Sequence, residues 1–232
     1  MAFFFLSGSI ALAKTRVTWY GQAFISVEAN DGKKVVIDPF DQSFLKYPLP
    51  RGLTAAVLLV SHEHKDHNNI SLIGGNPLVV RSEKGVGAFT GGGITITGTA
   101  TYHDENHGKD RGANTVYSFA VDGITFCHTG DLGHVLSPDQ VKIIGNVDIL
   151  FIPVGGFYTL DPSKIDSVIN SLNPKIVVPM HYKTKYTPNL PIAGIEDFLK
   201  NKKNVKKTGS PNFVITKETL PRDREIWILE VR

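Results

Sequence analysis

The chain has 232 residues, 41% hydrophobic and 20% charged, with a formal net charge of +3. That balance predicts a globular protein with a sizeable core, and so small a charge predicts no polyanion partner. Cys127 is the only cysteine, which excludes an intramolecular disulfide or a thiolate cluster, so any metal site must use nitrogen and oxygen ligands.

Residues 2–13, "AFFFLSGSIALA", are apolar and uncharged, about half the length needed to span a bilayer. They end in the small-x-small pattern Ala11-Leu12-Ala13, followed by Lys14. A cleaved export signal over 1–13 is expected, with an exported or periplasmic location ahead of a cytoplasmic one, although no positively charged region precedes the apolar run. An N-terminal segment packed onto the domain is the alternative. No other stretch is apolar enough to cross a membrane, and residues 14–232 are read as a single domain.

The first half is rich in strand signals. "RVTWY", "AFISVEA" and "KKVVID" are β-branched and aromatic, with "NDG" at Asn30–Gly32 as a hairpin turn. "AAVLLVS" (Ala55–Ser61) is continuously apolar, as in a strand covered on both faces. Strands are then expected at "PLVV", "ITITGTATY", "TVYSFAVD" and "ITFCH".

The second half alternates strand and helix. "SPDQVKIIG" has Ser137 as N-cap, Pro138 at the first helical position and Gly145 past the end. "DPSKIDSVINSLN" repeats that grammar with Ile165, Val168, Ile169 and Leu172 at helical spacing. "VDILFIPV" and "KIVVPMH" read as buried strands, "GIEDFLKNKK" as a helix, and "NFVITK" and "EIWILEV" as final strands. Two packed sheets with helices outside them follow from this order.

All eight histidines lie between positions 62 and 181, and four sites directly follow predicted strands: "VLLVS-HEHKDH", "GTATY-HDENH", "ITFC-HTGD" and "IVVPM-H". Ligand sites gather beyond the carboxyl ends of strands, so four such sites point to one shared edge. His62 and His64 are two apart and project the same way from extended backbone, able to chelate one ion. Asp66 and His67 follow in a turn that can aim both at a second position. A second cation needs an anion to relieve repulsion, and Asp131 in "HTGD" is placed to bridge. His103 and His181 end strands and are further candidate ligands. His107 reads as a loop residue, while His128 and His134 are expected to orient neighbours rather than bind metal.

The pattern His62-x-His64-x-Asp66-His67, then His103, Asp131 and His181, resembles the metal signature of the metallo-β-lactamase superfamily. "HDENHGKDRGANTVYSF", "HTGDLGH" and "VVPMHYKT" resemble its branch of small zinc-dependent hydrolases that includes ascorbate-6-phosphate lactonase-like proteins. The resemblance implies an α/β four-layer αββα sandwich. It implies His62, His64 and His103 on a first metal, Asp66, His67 and His181 on a second, and Asp131 between them. It also implies that Asp38, in "VVIDPF", supports the ligand histidines. Two features depart from the pattern. Gly21-Gln22 stands where the branch often has Gly-His, and Asp131 stands where true β-lactamases carry a cysteine ligand, which speaks against antibiotic hydrolysis.

The expected activity is binuclear hydrolysis with two divalent cations, zinc first and manganese or iron as alternatives. A metal-bridging hydroxide would attack a lactone, ester or phosphodiester, with Asp66 orienting the nucleophile. The substrate is expected to be a small molecule, with anionic character open. The loops "DQSFLKYPLPRG" and "YKTKYTPNL" hold Lys, Arg and Tyr that could meet an anionic group or simply be solvated. An iron-dependent redox enzyme on the same fold is the alternative class. Nucleic-acid processing or binding through "KNKKNVKK" is a third, although this run reads better as a solvated helix end and no stable nucleic-acid partner is expected.

Overall fold

The structure, a computed structural model, describes residues 12–231. The expected export signal over 1–13 therefore lies, apart from Leu12 and Ala13, outside the described residues. Along the chain come β1 (Thr15–Gly21), β2 (Phe24–Glu28), β3 (Lys34–Ile37), β4 (Val57–Val60), β5 (Leu78–Arg81), β6 (Gly87–Gly91), β7 (Ile94–Tyr102), β8 (Ala113–Val121) and β9 (Ile124–His128). Then follow α1 (Pro138–Ile144), β10 (Ile149–Pro153), α2 (Ile165–Leu172), β11 (Ile176–Met180), α3 (Ile195–Leu199), β12 (Val205–Lys207), β13 (Asn212–Ile215) and β14 (Glu225–Ile228). They form a six-stranded sheet, β13-β1-β2-β3-β4-β5, and an eight-stranded sheet, β12-β14-β11-β10-β9-β8-β7-β6.

Period-two alternation decides which side chains meet between the sheets. Val35, Ile37, Val57 and Leu59 turn inward and join Phe126, Phe151 and Val178 of the second sheet in one core. Their neighbours Val36 and Leu58 turn outward, yet are also buried, under Phe40, Leu45 and Tyr47. This is why "AAVLLVS" is apolar without alternation: β4 is covered on both faces. The outer cover of the first sheet is a loop over residues 39–55 rather than a long helix.

On the second sheet, β9, β10, β11 and β14 run parallel, and α1 and α2 are the crossovers among the first three. Ser137 and Gln140 form a capping box at the start of α1. Ile165, Val168, Ile169 and Leu172 bury one face of α2; each such side chain contributes roughly 1.5–3 kcal/mol of transfer free energy. The helix expected over "GIEDFLKNKK" ends at Leu199, because Lys200 turns extended (φ −54, ψ 124), and part of the lysine run then forms β12 at the sheet edge. Within it, Lys200 pairs with Asp197, Lys202 with Asp166, and Lys206 lies over Trp227. Among the described residues, no helix is long and apolar enough to cross a membrane.

Strand direction places the chemistry. β3 and β4 are parallel, and β1 runs with them because both β1 and β3 are antiparallel to β2. In the second sheet β7 runs with β9, both being antiparallel to β8. The carboxyl ends of β1, β3, β4, β7, β9 and β11 therefore carry Gln22, Asp38, His62, His103, Asp131 and His181 toward one edge.

Candidate metal centre

The tightest part of the site is built on Asp38, a fully buried residue at φ +49 just past β3. Its Oδ1 accepts the Ser61 backbone N–H at 2.7 Å, and its Oδ2 accepts both the Ser61 hydroxyl at 2.6 Å and His67 Nδ1 at 2.9 Å. Since the Ser61 hydroxyl donates to Asp38, its oxygen accepts from His62 Nδ1 at 3.0 Å. One carboxylate thus keeps the ring proton of both His62 and His67 on Nδ1. Each Nε2 is thereby aimed at the cavity, the orientation a metal ligand needs.

Asp131 sits where the ring nitrogens converge. Its carboxylate lies 3.2 Å from His103 Nε2, 3.2 Å from His181 Nε2, 3.3 Å from His67 Nε2 and 3.9 Å from His62 Nε2. Asn114 sets this position: its Oδ1 accepts the Asp131 N–H, while its Nδ2 donates to Thr129 O and Thr101 Oγ1. Gly130 is needed in this turn, since its φ is +55 and a Cβ there would fall 2.4 Å from Asn114 Oδ1.

Two groups of side chains could each hold an ion, with ligand atoms within 4.8 Å of one another. One is His62, His64 and His103; the other is Asp66, His67, Asp131 and His181. His67 Nε2 and Asp131 Oδ1 are both buried without a hydrogen-bond partner. Orphaned polar atoms of this kind, crowded face to face, fit a bound cation and are costly otherwise. The donor set is imidazole and carboxylate, suited to zinc, manganese or iron alike.

The electrostatics of the two groups differ. Burial and the nearby His67 push His62 well below its ordinary value, and burial with His103 lowers His64. Burial also disfavours charge on His67, but the carboxylates of Asp131, Asp66 and Asp38 outweigh it and hold the ring well above its usual range. His181 is raised against burial by Asp131 and Asp66. Asp66 and Asp131 are themselves lowered, because neighbouring histidines outweigh their burial.

The remaining sequence-predicted positions sort cleanly. His128 lies behind the cluster, its Nε2 2.9 Å from Ala23 O and its Nδ1 accepting from Gly130 N, so it pins the turn before Asp131. His134 accepts the Tyr102 N–H on Nε2 and steadies the backbone next to His103. His107 is in the loop after His103, its ring against Tyr102. The two loops whose Lys, Arg and Tyr could meet an anion or be solvated line the cavity over the cluster with Phe44 and Leu190. Lys46 turns back onto its own loop, and Arg51 lines a separate cavity with Arg16 and Lys34.

Two contributors went unassigned in the sequence. Gln22, at φ +50 and 1% exposed, donates from Nε2 to Asp66 Oδ2 at 3.0 Å, while its carbonyl receives the His181 N–H. Its place immediately after the β1 strand signal was the available clue. Arg111 lines the cavity from the loop after His103, and the dipeptide Arg111-Gly112 gave no chemical signal by itself.

Comparison with known proteins agrees with this geometry. Residues 16–181 match the β-lactamase superfamily domain. A UPF0173 metal-dependent hydrolase of Thermoplasma acidophilum is 29% identical over 191 residues, covering 73% of this chain and 84% of the relative. Another from an Anaeromyxobacter species is 30% identical, covering 75% and 77%. Among solved structures, a Thermotoga maritima protein assigned as a Zn-dependent hydrolase of the metallo-β-lactamase superfamily is 38% identical. It superposes with a TM-score of 0.76 over 94% of this chain and 100% of that one. With the two-sheet fold and the histidine-carboxylate cluster in place, this chain belongs to the metallo-β-lactamase superfamily, among its metal-dependent hydrolases.

Proposed function

We propose that the enzyme is a two-cation hydrolase that cleaves a lactone or other ester, or a phosphodiester. The observation that supports this reading is the single Asp131 carboxylate standing between two ligand groups, with one ring of each, His62 through Ser61 and His67 directly, oriented by Asp38. His62, His64 and His103 would hold one divalent ion, Asp66, His67 and His181 the other, with Asp131 shared. Zinc is the favoured ion. When bound, such ions supply Lewis acidity and acidify water from about 15.7 toward about 7.

The chain's own part is positioning and proton handling. Water oxygen bonds to the carbonyl carbon or phosphorus, the bond to the leaving oxygen breaks, and that oxygen takes up a proton. Asp66 is held by Gln22, and the neighbouring histidines, outweighing its burial, hold its carboxyl below the usual carboxylate range, so it is ionised at neutral pH. It therefore enters the cycle as an acceptor that aligns the attacking water, not as a stored acid. Elemental analysis of the purified protein, paired with a screen of lactones, phosphodiesters and thioesters, tests the reading. Two equivalents of divalent metal per chain and chelator-sensitive hydrolysis are expected; a metal-free protein, or hydrolysis indifferent to chelator, contradicts it.

A further inference from the structure

The cavity above the cluster has a volume of about 500 Å³, and its wall beyond the ligands includes Phe44, Glu63, Lys65, Arg111, Tyr158 and Leu190. The charges on that wall are not balanced alike. Glu63 is neutralised by Arg81 and also accepts from Asn68, whereas Lys65 has no ion pair among the described residues. Arg111 has no such partner. Its guanidinium donates from Nη2 to the Phe157 carbonyl at 3.0 Å and stands 5.9 Å from the Tyr158 ring centroid. Among the described residues, no carboxylate forms an ion pair with it. Most of its five N–H donors stay uncommitted.

Arg111 is also fixed relative to the cluster. The Asp104 carboxylate accepts backbone N–H groups from Asn106, Gly108, Asp110 and Arg111 at 2.8–3.1 Å. The His103 N–H then closes the loop onto Gly112 O at 3.0 Å. His103 and Arg111 are therefore the two ends of one locked loop, one at the metal ligands and the other on the cavity wall. An exposed cation on a fixed backbone, tethered by one carbonyl and without a counter-ion, has a planar fork of free donors suited to an oxyanion brought by a ligand.

We propose that Arg111 is the specificity residue of this pocket and that the substrate carries an oxyanion, a carboxylate or a phosphate, outside the bond that is cleaved. Its organic body rests against Phe44, Tyr158 and Leu190. This rests on the hydrolytic reading above.

The test uses the metal-loaded full chain and three aryl esters that differ only in a remote substituent: neutral, carboxylate or phosphate. Wild type should prefer a charged ester, and the preferred charge identifies the oxyanion. In Arg111→Met the charged-over-neutral ratio of kcat/KM should fall about 10- to 100-fold, chiefly through KM. Arg111→Lys should recover part of the preference. Equal losses on charged and neutral esters, as a purely structural role through Phe157 would give, overturn the proposal, as does an unchanged ratio. Calorimetric titration with benzoate and with phenyl phosphate provides a readout that needs no turnover. About tenfold tighter binding to wild type than to Arg111→Met, with Arg111→Lys between them, supports the subsite even if no ester is hydrolysed, an outcome that would count against the hydrolytic reading alone. Equal affinities overturn it.

Discussion

The two ligand groups sit side by side at one sheet edge yet are built on opposite electrostatic plans. His62, His64 and His103 form an all-imidazole group whose first two rings are lowered by burial and by each other's neighbours, so they stand neutral and ready for a cation. Asp66, His67, Asp131 and His181 mix two carboxylates with two rings whose protons those carboxylates retain. The second group offers more negative charge to a cation but must surrender protons to receive it. Ligand count alone would not separate the two; the surrounding charge does.

The strongest way to break that contrast is to remove the residue common to both. Asp131→Ala should cut bound metal and activity together, by at least about 100-fold in metal affinity, because its carboxylate lies against rings of each group. Two metals retained with full activity would refute the shared role. A pH series separates the groups without mutation. Protons compete with cations for a ring nitrogen, so a ring held above its ordinary value of about 6.5 needs a higher pH to bind. As pH falls below neutrality, the Asp66–His67–His181 group should therefore lose its ion first, giving about one metal per chain before none. Simultaneous loss, measured by dialysis and elemental analysis, would remove the distinction.

Smaller effects probe the supports. Asp38→Asn weakens the acceptor that fixes the rings of His62 and His67, and metal affinity should fall about 10- to 100-fold at both positions. A loss confined to the His67 side would show that the path through Ser61 is unimportant. Gln22→Met removes only the donor to Asp66. It should lower kcat about tenfold with metal content unchanged at neutral pH; unaltered kcat would show that Asp66 needs no such restraint.

Much of this was readable before any coordinates, for physical reasons. The HxHxDH cluster is local, and a buried strand before it announces itself by continuous apolarity, so His62 to His67 are visible in one short window. His103 and His181 were visible because each directly follows a strand, and Asp131 because it lies in the turn just past the end of β9 at His128. What the chain hides is contact between distant loops. Nothing local to Asn114 says that it will hold the Asp131 N–H, and Gln22 acquires its role only when β1 ends beside β11. The sequence left open whether the cations of the 41–52 and 182–190 loops meet an anion or solvent; those loops line the pocket with Phe44 and Leu190, while Phe40, Leu45 and Tyr47 are drawn down to cover Val36 and Leu58. The short strand in the lysine-rich run, β12, escaped notice since its three residues are all exposed.

Anomalous diffraction at the zinc edge, from crystals of the zinc-loaded full chain, addresses the paired site most directly. Two peaks are predicted, one among His62, His64 and His103 and one among Asp66, His67 and His181, with Asp131 reaching both. A single peak, or zinc bound away from these seven side chains, would contradict it.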